Sequence, residues 1–276
     1  MRIDSHQHFW DLDRLPYPWM PPEPDCPLRR NFLPADLGPI LERNRFDGSV
    51  VVQATQVPDE APWLLSLADE YPFIKGVVAW VDLTSPALGA TLDALQRNPK
   101  LKGVRHLVHD EPDDDWLLRE DVTGGLREIA RRRLTYDLLL RPRHLKLVPR
   151  VAEQVPGLRM AIDHIAKPLI ATHRMDGWAE DMARAAEVPG LHVKLSGMIT
   201  EANHDNWTAA DLRPYVEHVL AVFGARRCMF GSDWPVCLLA GTWKQVLAAF
   251  TQAHGPVPQQ DHAALVGETA GAFYGL

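Results

Sequence analysis

Short apolar runs alternate with longer amphipathic stretches along the whole chain. Eight of these runs are apolar or β-branched on both faces and are bounded by polar, Gly or Pro residues, which is typical of buried parallel strands. They cover residues 2–5, 49–54, 74–81, 102–107, 135–140, 159–163, 191–195 and 228–231. The stretches between them carry apolar residues at helical spacing, and Trp63, Leu64, Leu67 and Tyr71 are one example. The pattern therefore predicts strands connected by helices.

Seven helices are predicted, over residues 60–71, 88–95, 122–133, 176–187, 211–223, 242–254 and 259–272. Parallel strands joined by helices imply right-handed crossovers, and eight such units predict one α/β domain over residues 1–276 that is a (β/α)8 TIM barrel. An open doubly wound sheet is the alternative, but no Gly-rich phosphate turn follows any strand. The long segment 9–34 after the first strand contains Trp10, Tyr17 and Trp19, and we expect it to form a lid or pocket wall.

Composition narrows the class of protein. The 276 residues are 46% hydrophobic and 24% charged, which is typical of a well-packed globular chain. The net charge of −7 is spread along the sequence, so neither nucleic acid nor a membrane surface is an expected partner. No apolar run approaches the ~20 residues of a membrane span. Three cysteines do not suit a disulfide framework, and the chain begins without a signal peptide, so a cytoplasmic location is expected. A homo-oligomer is compatible with this composition.

Polar residues at the carboxyl ends of the predicted strands carry the candidate chemistry. In a barrel these ends converge on one pocket. Alternation along the first strand places Asp4, His6 and His8 on one face, His164 follows the sixth strand, and Asp233 follows the eighth. Three imidazoles and a carboxylate suit zinc or a similar divalent metal. We therefore predict that His6, His8, His164 and Asp233 bind one metal ion, with Asp4 in support.

Five motifs give the chain a resemblance to a known family. They are Asp4–His8, Lys102–His106, Asp163-His164, Lys194–Gly197 and Gly231–Cys237. Together they resemble the amidohydrolase superfamily, in its amidohydrolase-related (type 2) branch of lactone hydrolases and metal-dependent decarboxylases. The last two motifs are most similar to those of sugar-lactone hydrolases such as the L-fuconolactonases and L-rhamnonolactonases. The resemblance implies a hydrolase of carbohydrate metabolism that acts on a small sugar-acid lactone.

One departure from the family limits the metal content. Binuclear members of the superfamily carry a bridging Lys or Glu on strand four and a His on strand five. Here strand four ends in Arg105 and His106, and strand five ends in Leu139, Leu140 and Arg141. The second metal site is missing, so we expect at most one divalent ion, with zinc as the first candidate. A site without metal stays open as well, because some related lactonases use cationic side chains instead.

Lactone opening needs a base, an activated water and positive charge near the carbonyl oxygen. We predict Asp233 as the general base, with His164 as a ligand or a hydrogen-bond donor to the carbonyl. Arg105 is the predicted stabiliser of the oxyanion, and because neighbouring strand residues face opposite ways, we expect only one of Arg105 and His106 to enter the pocket. The predicted substrate-binding residues are Gln53, His106, Lys167, Lys194, Trp19 and Trp234.

Two other functions remain open from the sequence. A metal-dependent decarboxylase would use the same three histidines and the aspartate, but it would release carbon dioxide and depend strictly on metal. A catalytically silent barrel would serve as a binding module, and it would keep its function after loss of Asp233.

Overall fold

The eight predicted strands form a single parallel sheet in chain order, which closes into a barrel. The structure is a computed structural model and describes residues 1–276. The strands are β1 (Ile3–Gln7), β2 (Gly48–Val52), β3 (Ile74–Ala79), β4 (Leu101–His106), β5 (Thr135–Leu138), β6 (Arg159–Ile162), β7 (His192–Leu195) and β8 (Cys228–Phe230). The first and last strands meet where Gln7 pairs with Trp234 and the Asp233 amide donates to the His6 carbonyl over 2.8 Å. The predicted (β/α)8 barrel is confirmed.

Ten α-helices accompany the sheet: α1 (Pro34–Arg43), α2 (Glu60–Glu70), α3 (Leu88–Leu95), α4 (Glu120–Arg131), α5 (Val148–Gln154), α6 (Trp178–Ala186), α7 (Ala209–Phe223), α8 (Trp243–His254), α9 (Gln259–Ala263) and α10 (Thr269–Tyr274). The apolar pattern did not predict α1 or α5. Helix α1 contains Gly38 and Pro39, and α5 has seven residues with Pro149 in its first turn. Both features weaken a helical signal in the sequence. The predicted helix 259–272 is divided by a π-helical turn at Ala264–Glu268.

The last helix, α10, fills the amino-terminal end of the barrel. Its residues Ala270, Phe273 and Tyr274 pack inside the sheet against a small apolar layer that includes Ile3 and Met229. The larger core lies between the sheet and the outer helices. Helix α10 therefore closes one end of the barrel and leaves the carboxyl end of the strands for a site.

The predicted lid, residues 8–33 in the structure, folds back over that carboxyl end. The indole Nε1 of Trp19 donates to the Ala54 carbonyl over 2.6 Å, and the Thr55 hydroxyl donates to the Pro16 carbonyl over 2.8 Å. The amides of Ala54 and Thr55 in turn donate to one carboxyl oxygen of the buried Glu60, over 2.8 and 3.0 Å. The lid is therefore attached to the turn between β2 and α2.

No helix in the structure combines the length and the apolar composition that crossing a membrane requires.

Candidate metal and active site

Four predicted ligands meet at the carboxyl end of the barrel. The Nε2 atoms of His6 and His8 are 3.2 Å apart. Oδ1 of Asp233 lies 3.3 Å from Nε2 of His8 and 3.8 Å from Nε2 of both His6 and His164. All four side chains are buried, between 0% and 4% exposed. The structure thus brings together the whole set that the sequence singled out, which we call the ligand quartet.

The end of β1 places two members of the quartet. Its pairing with β2 changes register between Asp4 and Gln7, so simple alternation fails there. His6 and His8 reach the quartet, whereas Asp4 accepts hydrogen bonds from the Ser232 amide (2.8 Å) and from the indole of Trp243 in α8 (2.9 Å). The expectation that Asp4 shares a face with both histidines was wrong, and this carboxylate instead fixes the turn after β8.

That turn presents Asp233. Its backbone is left-handed, with φ of +56°, and its amide is held by the His6 carbonyl. Gly231 precedes it, and a Cβ at Gly231 would lie 2.7 Å from Cβ of His6 and 3.0 Å from Cβ of Ser196. The glycine of this motif therefore allows the β8 turn to approach both neighbouring strands closely.

The turn after β6 is strained. His164, Ile165, Ala166 and Lys167 have φ values of +53°, +46°, +59° and +51°, and the Lys167 amide donates to the His164 carbonyl over 2.8 Å. A left-handed conformation costs about 1–2 kcal/mol for each residue other than glycine. Such strain is typical of functional sites, and here it places an imidazole and an ammonium group on one turn.

The neighbouring strand β7 holds His164 in position. The His164 ring places Nδ1 2.9 Å from the Ser196 hydroxyl. At Gly197, where φ is +61°, a Cβ would lie only 2.5 Å from the same Nδ1. The Ser196-Gly197 pair of the sequence motif thus supplies a hydrogen-bond partner and the space for the ring.

A layer of buried charges lies beneath the quartet. Nζ of Lys194 is 2.5 Å from Asp137 and 2.9 Å from Asp163, and the Asp163 carboxylate also lies 3.0 Å from Nη1 of Arg105 and 3.3 Å from Nδ1 of His6. Two cations and two carboxylates therefore neutralise one another. Such a layer is stable only when it is fully paired, so it fixes the orientation of His6.

A cavity of about 250 Å³ opens above the quartet. Six predicted site residues line it: His8, Trp19, Arg105, His164, Lys167 and Asp233. The remaining lining residues are Ala54, Leu107, His109, Asp110, Leu139 and Val236. Apolar walls with a few convergent polar groups are typical of a site for a small molecule.

Comparison with known proteins decides the family. The profile of the amidohydrolase family matches residues 3–276, nearly the whole chain. The chain belongs to the amidohydrolase family. The resemblance carried by the five motifs is thereby confirmed.

Two curated relatives of this amidohydrolase have named activities. An L-fucono-1,5-lactonase of Burkholderia ambifaria is 40% identical over 241 residues, which cover 87% of this chain and 82% of the relative. An L-fucono-1,5-lactonase of Burkholderia multivorans is 34% identical, covering 100% of this chain and 96% of the relative. A crystal structure of an amidohydrolase from Burkholderia multivorans with bound zinc is 34% identical, has a TM-score of 0.91, and is matched over 100% of this chain and 99% of that one.

The ligand quartet of this amidohydrolase fits a divalent metal ion. Nδ1 of His8 lies 2.8 Å from the Val52 carbonyl, which can only accept, so the proton of a neutral ring is on Nδ1 and Nε2 carries a lone pair. That lone pair faces a carboxylate oxygen of Asp233, and two acceptors at this separation repel unless a cation lies between them. Ligand atoms about 2.0–2.1 Å from tetrahedral zinc are about 3.3–3.4 Å apart. The separations of 3.2 Å between His6 and His8 and 3.3 Å between His8 and Asp233 agree with this value, and these three residues form one group of potential metal ligands. His164 lies 3.8 Å from Asp233 and forms a second group with His6 and Asp163.

The surroundings of His6, His164 and Asp233 shift their pKa values in the directions that favour metal binding. Burial holds the pKa of His6 and of His164 well below the ordinary value. Burial acts to raise the pKa of Asp233, but His164, His8 and Lys167 outweigh it, and the pKa of this carboxyl lies below its usual value. At neutral pH His6 and His164 are therefore neutral imidazoles and Asp233 is an ionised carboxylate, as metal binding requires.

Four residues predicted to bind substrate lie away from the cavity lining. Gln53 is buried and accepts from Nη2 of Arg105 over 3.0 Å, and Lys194 belongs to the charge layer. His106 stacks on Trp116 with ring centroids 4.1 Å apart, because it faces the opposite way from Arg105. Trp234 is 2% exposed and packs edge-on against Phe9 and Phe32. None of these four side chains lines the cavity, and two of them, Gln53 and Lys194, contact residues of the site.

Four residues of the site were not predicted. Asp137 and Asp163 lie on the inner face of the barrel, where alternation along β5 and β6 could have revealed them. His109 and Asp110 lie in a short turn after β4, Val108–Asp110, and no periodic pattern marks that turn. In the sequence, Asp163 stands out only as part of the Asp163-His164 motif. Its contact with His6 joins β1 to the end of β6 and forms only when the barrel closes.

Proposed function

We propose that this amidohydrolase opens the ring of a sugar-acid lactone, similar to L-fuconolactone or L-rhamnonolactone, by attack of water. The observation that carries the proposal is the ligand quartet beside a small cavity, in a chain 40% and 34% identical to proteins named L-fucono-1,5-lactonases. The cavity of about 250 Å³ suits a single six-membered ring with its hydroxyls. The indole of Trp19 offers an apolar face to such a ring.

Asp233 serves as the general base in this proposal. Its contacts with the imidazoles are through Oδ1, which leaves Oδ2 for a water molecule. Asp233 takes a proton as the water oxygen bonds to the lactone carbonyl carbon. It returns that proton to the ring oxygen as the carbon–oxygen ester bond breaks, which gives a hydroxy acid. The carboxylic acid then ionises and releases one proton to the solution at neutral pH.

Two cations stabilise the developing oxyanion. Both terminal nitrogens of Arg105 already contact Asp163 or Gln53, but its Nε is buried and has no hydrogen-bond partner. Lys167 lines the cavity and contacts Glu201 through one hydrogen bond of 2.9 Å, so its ammonium has further donors for substrate. Donors fixed in advance near a developing charge are worth several kcal/mol in catalysis.

His6, His8, His164 and Asp233 would hold a divalent ion, which when bound supplies a positive charge that polarises the carbonyl and lowers the pKa of water. The charge layer contributes by fixing the ring of His6, since Nδ1 lies 3.3 Å from Asp163 and 3.1 Å from Nζ of Lys194, and Nε2 lies at the quartet.

A pH-indicator assay tests the proposal. Purified protein would be mixed with fucono-, rhamnono- and galactonolactones and with a lactone without hydroxyls, and the acid release above the uncatalysed rate would be measured. We expect faster release with at least one sugar lactone, and its loss in Asp233→Asn. Absence of acid release with every lactone would refute the proposal. Metal-dependent carbon dioxide release from a carboxylated substrate would then favour the decarboxylase.

A further inference from the structure

The loop after β7 holds both functional side chains of the strained turn after β6. The hydroxyl of Ser196 lies 2.9 Å from Nδ1 of His164. Farther along the same loop, the Glu201 carboxylate accepts a hydrogen bond of 2.9 Å from Nζ of Lys167. The backbone of Glu201 is fixed as well, because its carbonyl accepts from the Ala171 amide over 2.9 Å. The proposed reaction gives this carboxylate no role.

Glu201 offsets the charge of Lys167 at the cavity wall. Lys167 lines the cavity, whereas Glu201 lies behind it and is not part of the lining. Both side chains are 21% exposed, so the ammonium is accessible to a bound molecule while most of the pair is removed from water. Salt screens a partly buried pair less than it screens an exposed one.

The second cation of the cavity is paired in the same way. Arg105 and Lys167 are the only lysine or arginine side chains in the lining. Nη1 of Arg105 donates to the Asp163 carboxylate over 3.0 Å, and Asp163 also lies outside the lining. Each cation that faces a substrate is therefore balanced by a carboxylate behind it.

The carboxylates of the lining have no such partner. They are Asp233, which belongs to the ligand quartet, and Asp110. The only basic side chain at ion-pair distance from Asp110 is His109, 3.1 Å away, and burial lowers the pKa of this imidazole to about 3. The ring is therefore neutral at neutral pH. Apart from an ion at the quartet, the cavity offers an anionic substituent no cation whose charge is unbalanced.

We propose that Glu201 is a specificity-determining residue, which pairs with Lys167 so that the cavity accepts uncharged lactones and disfavours lactones that carry a carboxylate. The inference rests on the proposed lactone hydrolysis. The remaining hydrogen-bond donors of Lys167 are then available to carbonyl and hydroxyl oxygens of a neutral ring. A carboxylated ring would meet a balanced lysine and the negative charge of Asp110, and like charges in one site disfavour the wrong ligand.

Two lactones with the same ring test the proposal. One is L-fucono-1,5-lactone, and the other is the 1,5-lactone of galactarate with the same ring configuration, in which a carboxylate replaces the methyl group. Glu201→Gln keeps an oxygen that accepts from Lys167 and removes the charge. At low ionic strength we expect the ratio of kcat/KM, carboxylated to uncharged lactone, to rise about tenfold, through a lower KM for the carboxylated lactone. The rise should shrink at high salt.

Two control variants separate charge from shape and from net charge. Glu201→Asp keeps the carboxylate, so the ratio should stay close to that of wild type. Glu187→Gln removes the same charge from an exposed side chain between α6 and β7, at the opposite end of the barrel, and should leave the ratio unchanged. Should Glu201→Gln not fold, Glu201→Ala is the second variant, with the same expected rise.

The other outcomes separate this inference from the function on which it rests. An unchanged ratio in Glu201→Gln, an equal change with both lactones, or the same rise in Glu187→Gln would overturn the role of Glu201 while lactone hydrolysis stands. A wild-type protein that prefers the carboxylated lactone would overturn it as well. A wild-type protein that opens neither lactone would overturn both proposals.

Discussion

Replacing Gly197 by alanine would place a methyl group against the imidazole of His164. The added Cβ would lie 2.5 Å from Nδ1, 2.8 Å from Cγ and 3.0 Å from Cβ of His164, where ordinary contacts begin at 3.4 Å. The ring must therefore move by roughly 1 Å, and a misplacement of that size costs about 100-fold in rate. The left-handed backbone, with φ of +61°, adds about 1–2 kcal/mol of instability for a residue with a side chain.

Matched controls separate the two effects of this substitution. Gly157 and Gly190 also have positive φ, +84° and +75°, and a Cβ at either would meet no atom within 4 Å. We expect Gly157→Ala and Gly190→Ala to lower Tm by about 2–4 °C with unchanged kcat/KM. In both variants the only cost is a residue with a side chain in a left-handed backbone conformation, with no clash against a neighbour. Gly197→Ala should lower Tm further and reduce lactone hydrolysis by about 100-fold. Wild-type activity in Gly197→Ala would refute the argument that the position of His164 limits the reaction.

Three further predictions address the base, the metal and a buried carboxyl. Asp233→Asn should reduce kcat at least 1,000-fold, roughly the upper range for removal of a catalytic base, with circular dichroism showing a folded protein; activity near wild type would exclude Asp233 as the base. Dialysis against a chelator should lower the bound metal, the Tm and the activity together, and added zinc should restore all three; metal analysis that finds no divalent ion in active protein would contradict the metal site. Burial raises the pKa of Glu60 to about 8, from 4.5. Because the folded state then binds more protons than the unfolded state between these values, stability should fall as pH rises from about 4.5 to 8. Glu60→Gln should flatten that dependence in urea unfolding, and an equal slope in both proteins would show that Glu60 is not its source.

The sequence predicted the barrel and the ligand quartet because both depend on local patterns. Each strand reads as an apolar run, and the carboxyl ends of parallel strands in a barrel face one pocket whatever the details of packing. His6, His8, His164 and Asp233 each follow or end such a run, so their meeting required only that the barrel close.

The remaining features depend on contacts that no local pattern encodes. The register shift in β1 turns Asp4 towards α8, and it breaks the alternation on which the sequence argument relied. The pairing of Lys194 with Asp137 joins residues 57 positions apart. The side-chain oxygen of Gln53 accepts a hydrogen bond from Arg105, so this polar residue at a strand end contacts a neighbouring side chain and does not line the cavity. Helix α5 is too short for periodicity to distinguish it from a loop.

The contact between helix α10 and the charge layer has a consequence for the order in which the site can form during synthesis. The hydroxyl of Tyr274 donates to the Asp137 carboxylate over 2.8 Å, across 137 residues of chain. Every strand of the barrel leaves the ribosome before this tyrosine does, so a nascent chain with all eight strands still lacks one donor to the carboxylate that pairs with Lys194. The site reaches its final electrostatic state only when the last helix has docked from the opposite end of the barrel.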